Sequence, residues 1–331
     1  MSSKSTPQFQ QPSSGPPINA HLGMTPMLIL AFAVVYIFWG STYLAMRIGI
    51  ESFPPLLLPG TRHLFVGLLL YPLLRWKTGI RPTKEHWKTA AITGCLLLFL
   101  ANGSVCWAEE TVPSGIAALL VATVCLWMVL LDWLRPGGHR PSFRVIAGVA
   151  IGFAGMFLLV GPSQLGGSRI NLTGAAILMF ASFSWACGSL YSKHGSLPSS
   201  PLLGVGMQSL CGGIALWIAG FVTGQARHFH FSQVTLRSWM AIGYLAIFGS
   251  VIGFTAYMYM LKNSTATRAG TYAFVNPVVA LFIGWLIAGE PMTPRTWLSA
   301  LVILTAVVVV ITAPHRDPAH DVETLPAPGE A

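Results

Sequence analysis

The sequence predicts an all-α polytopic membrane protein of ten transmembrane helices, arranged as two inverted five-helix repeats. Three observations carry this expectation. Only 9% of the 331 residues are charged and 53% are hydrophobic, whereas a soluble globular protein carries about 25% charged residues. The apolar residues are gathered into ten runs of spanning length. The later part of the chain also repeats the earlier part in an ungapped register.

A helix needs about 20 residues to cross roughly 30 Å of hydrocarbon. Runs that meet this need fall at 27–46, 55–74, 89–107, 115–134, 145–160, 171–192, 201–222, 238–261, 270–288 and 296–313. Spanning strands would be about ten residues long and alternate in polarity, and stretches such as LLLYPLL and AVVVVI do not alternate. Residues 1–26 and 314–331, rich in Pro with Ser and Gln or acidic residues, read as disordered cytoplasmic tails. The first apolar run is too long for a cleavable signal core, and no small-x-small site follows it.

The net charge of +9 suggests nucleic acid only when it forms a clustered basic face on a soluble domain. Here the basic residues sit in short links, where they orient a membrane protein. Arg75, Lys77, Arg81, Lys84 and Lys88 follow the second run, and Arg135, Arg140 and Arg144 follow the fourth. With Lys193, Lys262, Arg268 and Arg316 they form one side; Arg47, Arg169, Arg227, Arg237 and Arg295 form the other. The excess places both termini in the cytoplasm, in a plasma (bacterial inner) membrane. Cys95, Cys106, Cys125, Cys187 and Cys211 are odd in number, lie in apolar runs and show no C-x-x-C spacing. They read as small buried hydrophobes rather than disulfides or a zinc site.

Shifting residues 91–162 by 152 positions lays them without a gap on 243–314. Trp133, Leu134, Gly137 and Ala117 then fall on Trp285, Leu286, Gly289 and Ala269. Trp39 and Trp185 correspond at a different offset in the first spans. The repeats are 27–162 and 163–313. Five spans each is an odd number, so the second enters the membrane upside down, a recurrent plan in secondary transporters.

The stretches FWGSTYLAMR (38–47), PSGIAALLVATV (113–124), GVAIGFAGMFLLVGP (148–162) and FVNPVVALFIGWLIAGEPMTP (274–294) resemble the EamA-type members of the drug/metabolite transporter superfamily. The resemblance extends over nearly everything between the tails. It implies ten helices in two inverted halves around a central cavity, and transport, more often export, of amino acids, metabolites or drug-like compounds. It implies no cofactor and no ATP. The first half departs from the family pattern: Val124–Cys125 and Gly137–Gly138 stand where the second has Asn276–Pro277 and Gly289–Glu290. The resemblance therefore carries no symmetric pair at those places.

Polar groups inside apolar runs mark candidate solute contacts, since an ionised one at a span centre costs about 2.5–3.5 kcal/mol. Trp39, Thr42 and Tyr43, beside Gly40 and Ser41, can wall a cavity, or the hydroxyls can bond back to their own helix. Arg62 can bind a solute carboxylate or reach the headgroups, and His63 beside it can handle protons or simply pack. Asn102 can meet solute or bridge helices; Trp107 lies further on, before Glu109 and Glu110 at the outer surface. Tyr257 and Tyr259 have the same two readings. At Asn276–Pro277 the proline frees a carbonyl mid-span, either toward a cavity or as a packing kink. Glu290 reads as a partner of Arg295 or a helix cap, Asp132 as an i,i+3 partner of Arg135. His228 and His230 lack further ligands for a metal.

These residues point to a secondary transporter of a small organic solute; the mostly apolar, aromatic lining suits an uncharged or zwitterionic one. The rival is a membrane-embedded lipid-modifying enzyme, which needs an Asp, Glu or His cluster at one interface. The sequence shows no D-D-x-x-D, H-x-x-x-x-D or triad spacing. No metal, cofactor or nucleic acid is expected; the partners are the solute and the lipid bilayer, with a homodimer left open.

Overall fold

The computed structural model describes residues 25–313, apart from 109, 113, 137, 139, 168–171, 228 and 289–292. The two tails, Glu290 and His228 lie outside them. The described residues form helices joined by short links, with no strand among them. In chain order the helices are α1 (Pro26–Gly49), α2 (Leu57–Thr78), α3 (Lys84–Ala108), α4 (Ser114–Val121), α5 (Thr123–Leu134) and α6 (Phe143–Gly167). There follow α7 (Leu172–His194), α8 (Pro201–Val222), α9 (Leu236–Asn263), α10 (Ala266–Gly270), α11 (Tyr272–Ala288) and α12 (Pro294–Ile311).

Local chemistry sets the starts of these helices. Thr25, Ser200 and Thr293 each cap a helix whose first turn begins with proline, which lacks the N–H that would otherwise be orphaned there. Thr83 and Thr235 cap α3 and α9, accepting from the backbone N–H of His86 and Ser238. Gly79, at φ +65°, ends α2 in the left-handed conformation that suits a residue without Cβ.

Eight helices among the described residues are long and apolar enough to cross a membrane: α1, α2, α3, α6, α7, α8, α9 and α12. The fourth and ninth predicted spans are helical but are not single full-length helices. The fourth breaks at Ala122, where Thr123 Oγ1 bonds back to the Leu120 carbonyl at 2.6 Å. The ninth breaks at Thr271, whose hydroxyl donates to the Arg268 carbonyl at 2.6 Å. Hydroxyls that satisfy carbonyls locally offer the backbone an alternative to the helical ladder.

A second feature is shared by α3 and α9. Each widens into π-helical turns at mid-length, over Gly94–Gly103 and Leu245–Gly253. The 152-residue shift nearly superimposes these segments, and it lays Thr83 on Thr235. Wide turns of this kind recur at functional sites because they leave carbonyls imperfectly bonded within the helix.

Glycines bring the helices close where lipid supplies no hydrophobic drive. On the α2–α8 seam a Cβ at Gly67 would sit 2.6 Å from the Leu210 amide nitrogen, and one at Gly213 2.7 Å from that of Leu64. On the α6–α12 seam, Gly148 and Gly155 face Val310 and Ile303. Large apolar side chains such as Phe65, Leu68, Ile218, Leu301 and Val308 are exposed on the outside, which suits acyl chains rather than water. Trp76, 80% exposed between Arg75 and Lys77, is placed as an interfacial anchor.

Candidate functional site

A partly open cavity of about 100 Å³ is lined by residues of α1, α2, α3, α7, α9 and α11, with Val121 and Val124 of the broken fourth span. Trp39, Thr42, Arg62, Asn102 and Asn276, all expected from the sequence, lie in its wall. So do His63, Trp185, Tyr272, Phe254 and Met46. The 152-residue shift pairs Asn102 with Phe254 and Val124 with Asn276, and all four face this space. Positions paired by that register therefore meet the same cavity with different chemistry, one polar and one apolar in each pair.

One wall is aromatic. Trp39 touches Trp185, Tyr257 and Tyr272, with ring centroids 5.5, 4.9 and 4.9 Å apart. Its indole N–H donates to the Gly249 carbonyl at 3.0 Å, within the wide turns of α9. Gly253 makes room for it, since a Cβ there would lie 2.5 Å from Trp39 Nε1. Tyr257 is fully buried behind the wall. Its hydroxyl accepts from Trp185 Nε1 at 3.0 Å and bonds Ser189 at 2.7 Å. Tyr36 hydrogen-bonds Thr271 at 2.6 Å, tying α1 to the break that precedes α11.

The polar side centres on Arg62, only 5% exposed. Its Nη2 lies 3.0 Å from His63 Nε2 and donates to Asn102 Oδ1 at 3.3 Å. Arginine has no acceptor, so His63 Nε2 accepts and the ring proton sits on Nδ1. Arg62 Nε, His63 Nδ1 and Asn276 Oδ1 are buried without a hydrogen-bond partner. The guanidinium thus lies inward at the cavity wall rather than out toward the headgroups, and Asn102 bridges α2 and α3 while facing the cavity. Thr42 also lines the wall, but its hydroxyl donates back to the Trp39 carbonyl at 2.7 Å.

Other expected positions fall elsewhere. Trp107 is 47% exposed and off the cavity; five residues beyond Asn102 is about 140° further round an α-helix. Pro277 is off the wall for the same reason, one residue and about 100° past Asn276. Tyr257 stands in the layer behind, and Tyr259 bonds Asn263 through its carbonyl. The Tyr43 side chain and Glu290 lie outside the described residues, and Arg295 donates to the Leu158 and Leu159 carbonyls at 2.8 and 3.1 Å. Asp132 and Arg135 form the expected i,i+3 pair at 2.7 Å. Of the residues not singled out for the wall, Trp185 had a sequence signal in its match to Trp39. Phe254 had one in its register match to Asn102, and Tyr272 had none.

Comparison with known proteins agrees with this architecture. A crystal structure of a protein 18% identical in sequence shares the fold, with a TM-score of 0.73 over 88% of this chain and 99% of its own. The inner membrane transporter YedA of Escherichia coli K12, uncharacterized by name, is 39% identical, over 90% of this chain and 95% of its own length. A protein of the same organism named "Probable amino-acid metabolite efflux pump" is 25% identical, over 85% of this chain and 93% of its own. The sequence pattern of the EamA-like transporter family matches residues 26–161 and 172–312. With a cavity walled by both of those matched halves, this integral inner-membrane chain belongs to the EamA-like transporter family.

Proposed function

We propose that the chain is a secondary transporter that exports a small organic solute by alternating access. In this reading ten helices form two inverted five-helix repeats, with both termini in the cytoplasm. The observation that carries it is the cavity walled by positions that the 152-residue register pairs, Asn102 with Phe254 and Val124 with Asn276. A transporter of this plan rocks two related units about a site near the midplane. The aromatic wall is built for such a change: Trp39, Trp185, Tyr257 and Tyr272 come from α1, α7, α9 and α11. Parting those four helices would open a path. The basic links support the orientation, and the name of the Escherichia coli efflux pump supports export.

Flux into and out of proteoliposomes holding the purified chain tests transport. Movement of unaltered solute supports the reading; chemical conversion without movement replaces it with the enzyme. Labelling of single cysteines added in the two tails tests the architecture. Tails on opposite faces of the membrane would remove the inverted repeat.

A further inference from the structure

We infer that the cavity takes an organic monoanion, whose carboxylate supplies the counter-ion that Arg62 lacks. The inference rests on reading this cavity as the solute site. Arg62 is 5% exposed, and its neighbours in hydrogen-bond reach, His63 and Asn102, are both neutral. The described ion pairs, Lys88–Glu85, Arg135–Asp132 and Arg237–Glu51, lie elsewhere on partly exposed side chains. No Asp or Glu is among the described residues of the cavity wall. A guanidinium removed from water and left without an anion is strongly disfavoured, and a solute carboxylate answers that deficit with charge-assisted hydrogen bonds.

The unused donors agree. Arg62 Nε has no partner, and His63 Nδ1, the nitrogen left to carry the ring proton, has none either. The same geometry disfavours a cation. A cage for an ammonium needs rings standing around a space, and here the rings pack on each other with centroids as close as 4.9 Å. Among its described residues the wall also offers no carboxylate to receive the ammonium of a zwitterion. Trp39, Trp185 and Tyr272 are left as the surface for an apolar body.

The purified full-length chain is titrated with four probes of one body: phenylacetate, phenylalanine, phenethylamine and phenylacetamide. Thermal midpoint and tryptophan fluorescence report binding, and proteoliposome flux reports transport. Phenylacetate is expected to bind about tenfold or more tightly than the other three, the worth of one charge-assisted contact. Arg62→Gln should abolish that preference. Because removing Arg62 can disturb folding, Asn102→Asp is the second variant: it sets a carboxylate where Oδ1 now lies 3.3 Å from Arg62 Nη2. It should raise the thermal midpoint and abolish phenylacetate binding together. Equal binding of all four probes, no binding of phenylacetate, or binding that survives Asn102→Asp would each overturn the monoanion site. Phenylacetate binding without flux keeps that site and overturns transport. Flux of the amine or amide with no anion preference does the reverse.

Discussion

Trp39 of α1 and Trp185 of α7 meet edge to face with ring centroids 5.5 Å apart. Their indole nitrogens both donate to α9, Trp39 to the Gly249 carbonyl and Trp185 to the Tyr257 hydroxyl, each at 3.0 Å. One helix thus holds both indoles of the wall, and substitutions there separate packing from polarity.

Trp39→Ala removes three aromatic contacts and one hydrogen bond. Transport is expected to fall by about tenfold or more, a loss of about 1.4 kcal/mol. Membrane insertion, checked by expression and gel filtration in detergent, should persist. Trp39→Phe keeps the edge-to-face packing and should retain more flux than the alanine variant. Equal flux in wild type and Trp39→Ala would remove Trp39 from the solute path.

Asn276→Ala acts differently. Asn276 is 2% exposed and its Oδ1 has no partner, a state that costs about 1–3 kcal/mol in a folded protein. Truncation is therefore expected to leave the thermal midpoint unchanged or raise it while transport drops. A large fall in midpoint would show that the amide is structural.

Gly94→Ala and Gly243→Ala test the close helix seams. At Gly94 a Cβ would lie 2.5 Å from the Gln208 carbonyl oxygen and 3.0 Å from the Gly212 nitrogen, both backbone atoms. Overpacking of that kind costs roughly 1–3 kcal/mol. Gly243 has nothing within 4 Å of such a Cβ, and alanine there gains about 1 kcal/mol of helix propensity. Thermal unfolding in detergent should lower the midpoint for the first and hold or raise it for the second.

Asp132→Asn breaks the 2.7 Å pair with Arg135, whose side chains are 20% and 31% exposed. Solvent screening limits the expected loss to at most about 1 kcal/mol. The difference between variant and wild type should shrink as salt is raised, as read from thermal midpoints. Transport should be unchanged, since neither residue lines the cavity.

Sequence alone determined that this chain belongs in lipid and which residues were costly enough inside the membrane to need a reason. Arg62, Asn102 and Asn276 stood out because an ionised or amide group among apolar residues demands a partner. It could not say which face of each helix looks inward. In water, a helix shows its buried side by a polar–apolar contrast; in a bilayer, lipid and protein core are both apolar, so Trp107 and Trp39 carry the same signal. The tertiary structure decided that Trp39 turns to the cavity and Trp107 to the outside. It also decided that Ala122 and Thr271 interrupt two of the predicted spans, and that Arg62 finds neutral neighbours rather than headgroups. Those outcomes depend on which helices become neighbours, and glycine contacts such as Gly67 on Leu210 set that arrangement only once the chain is folded.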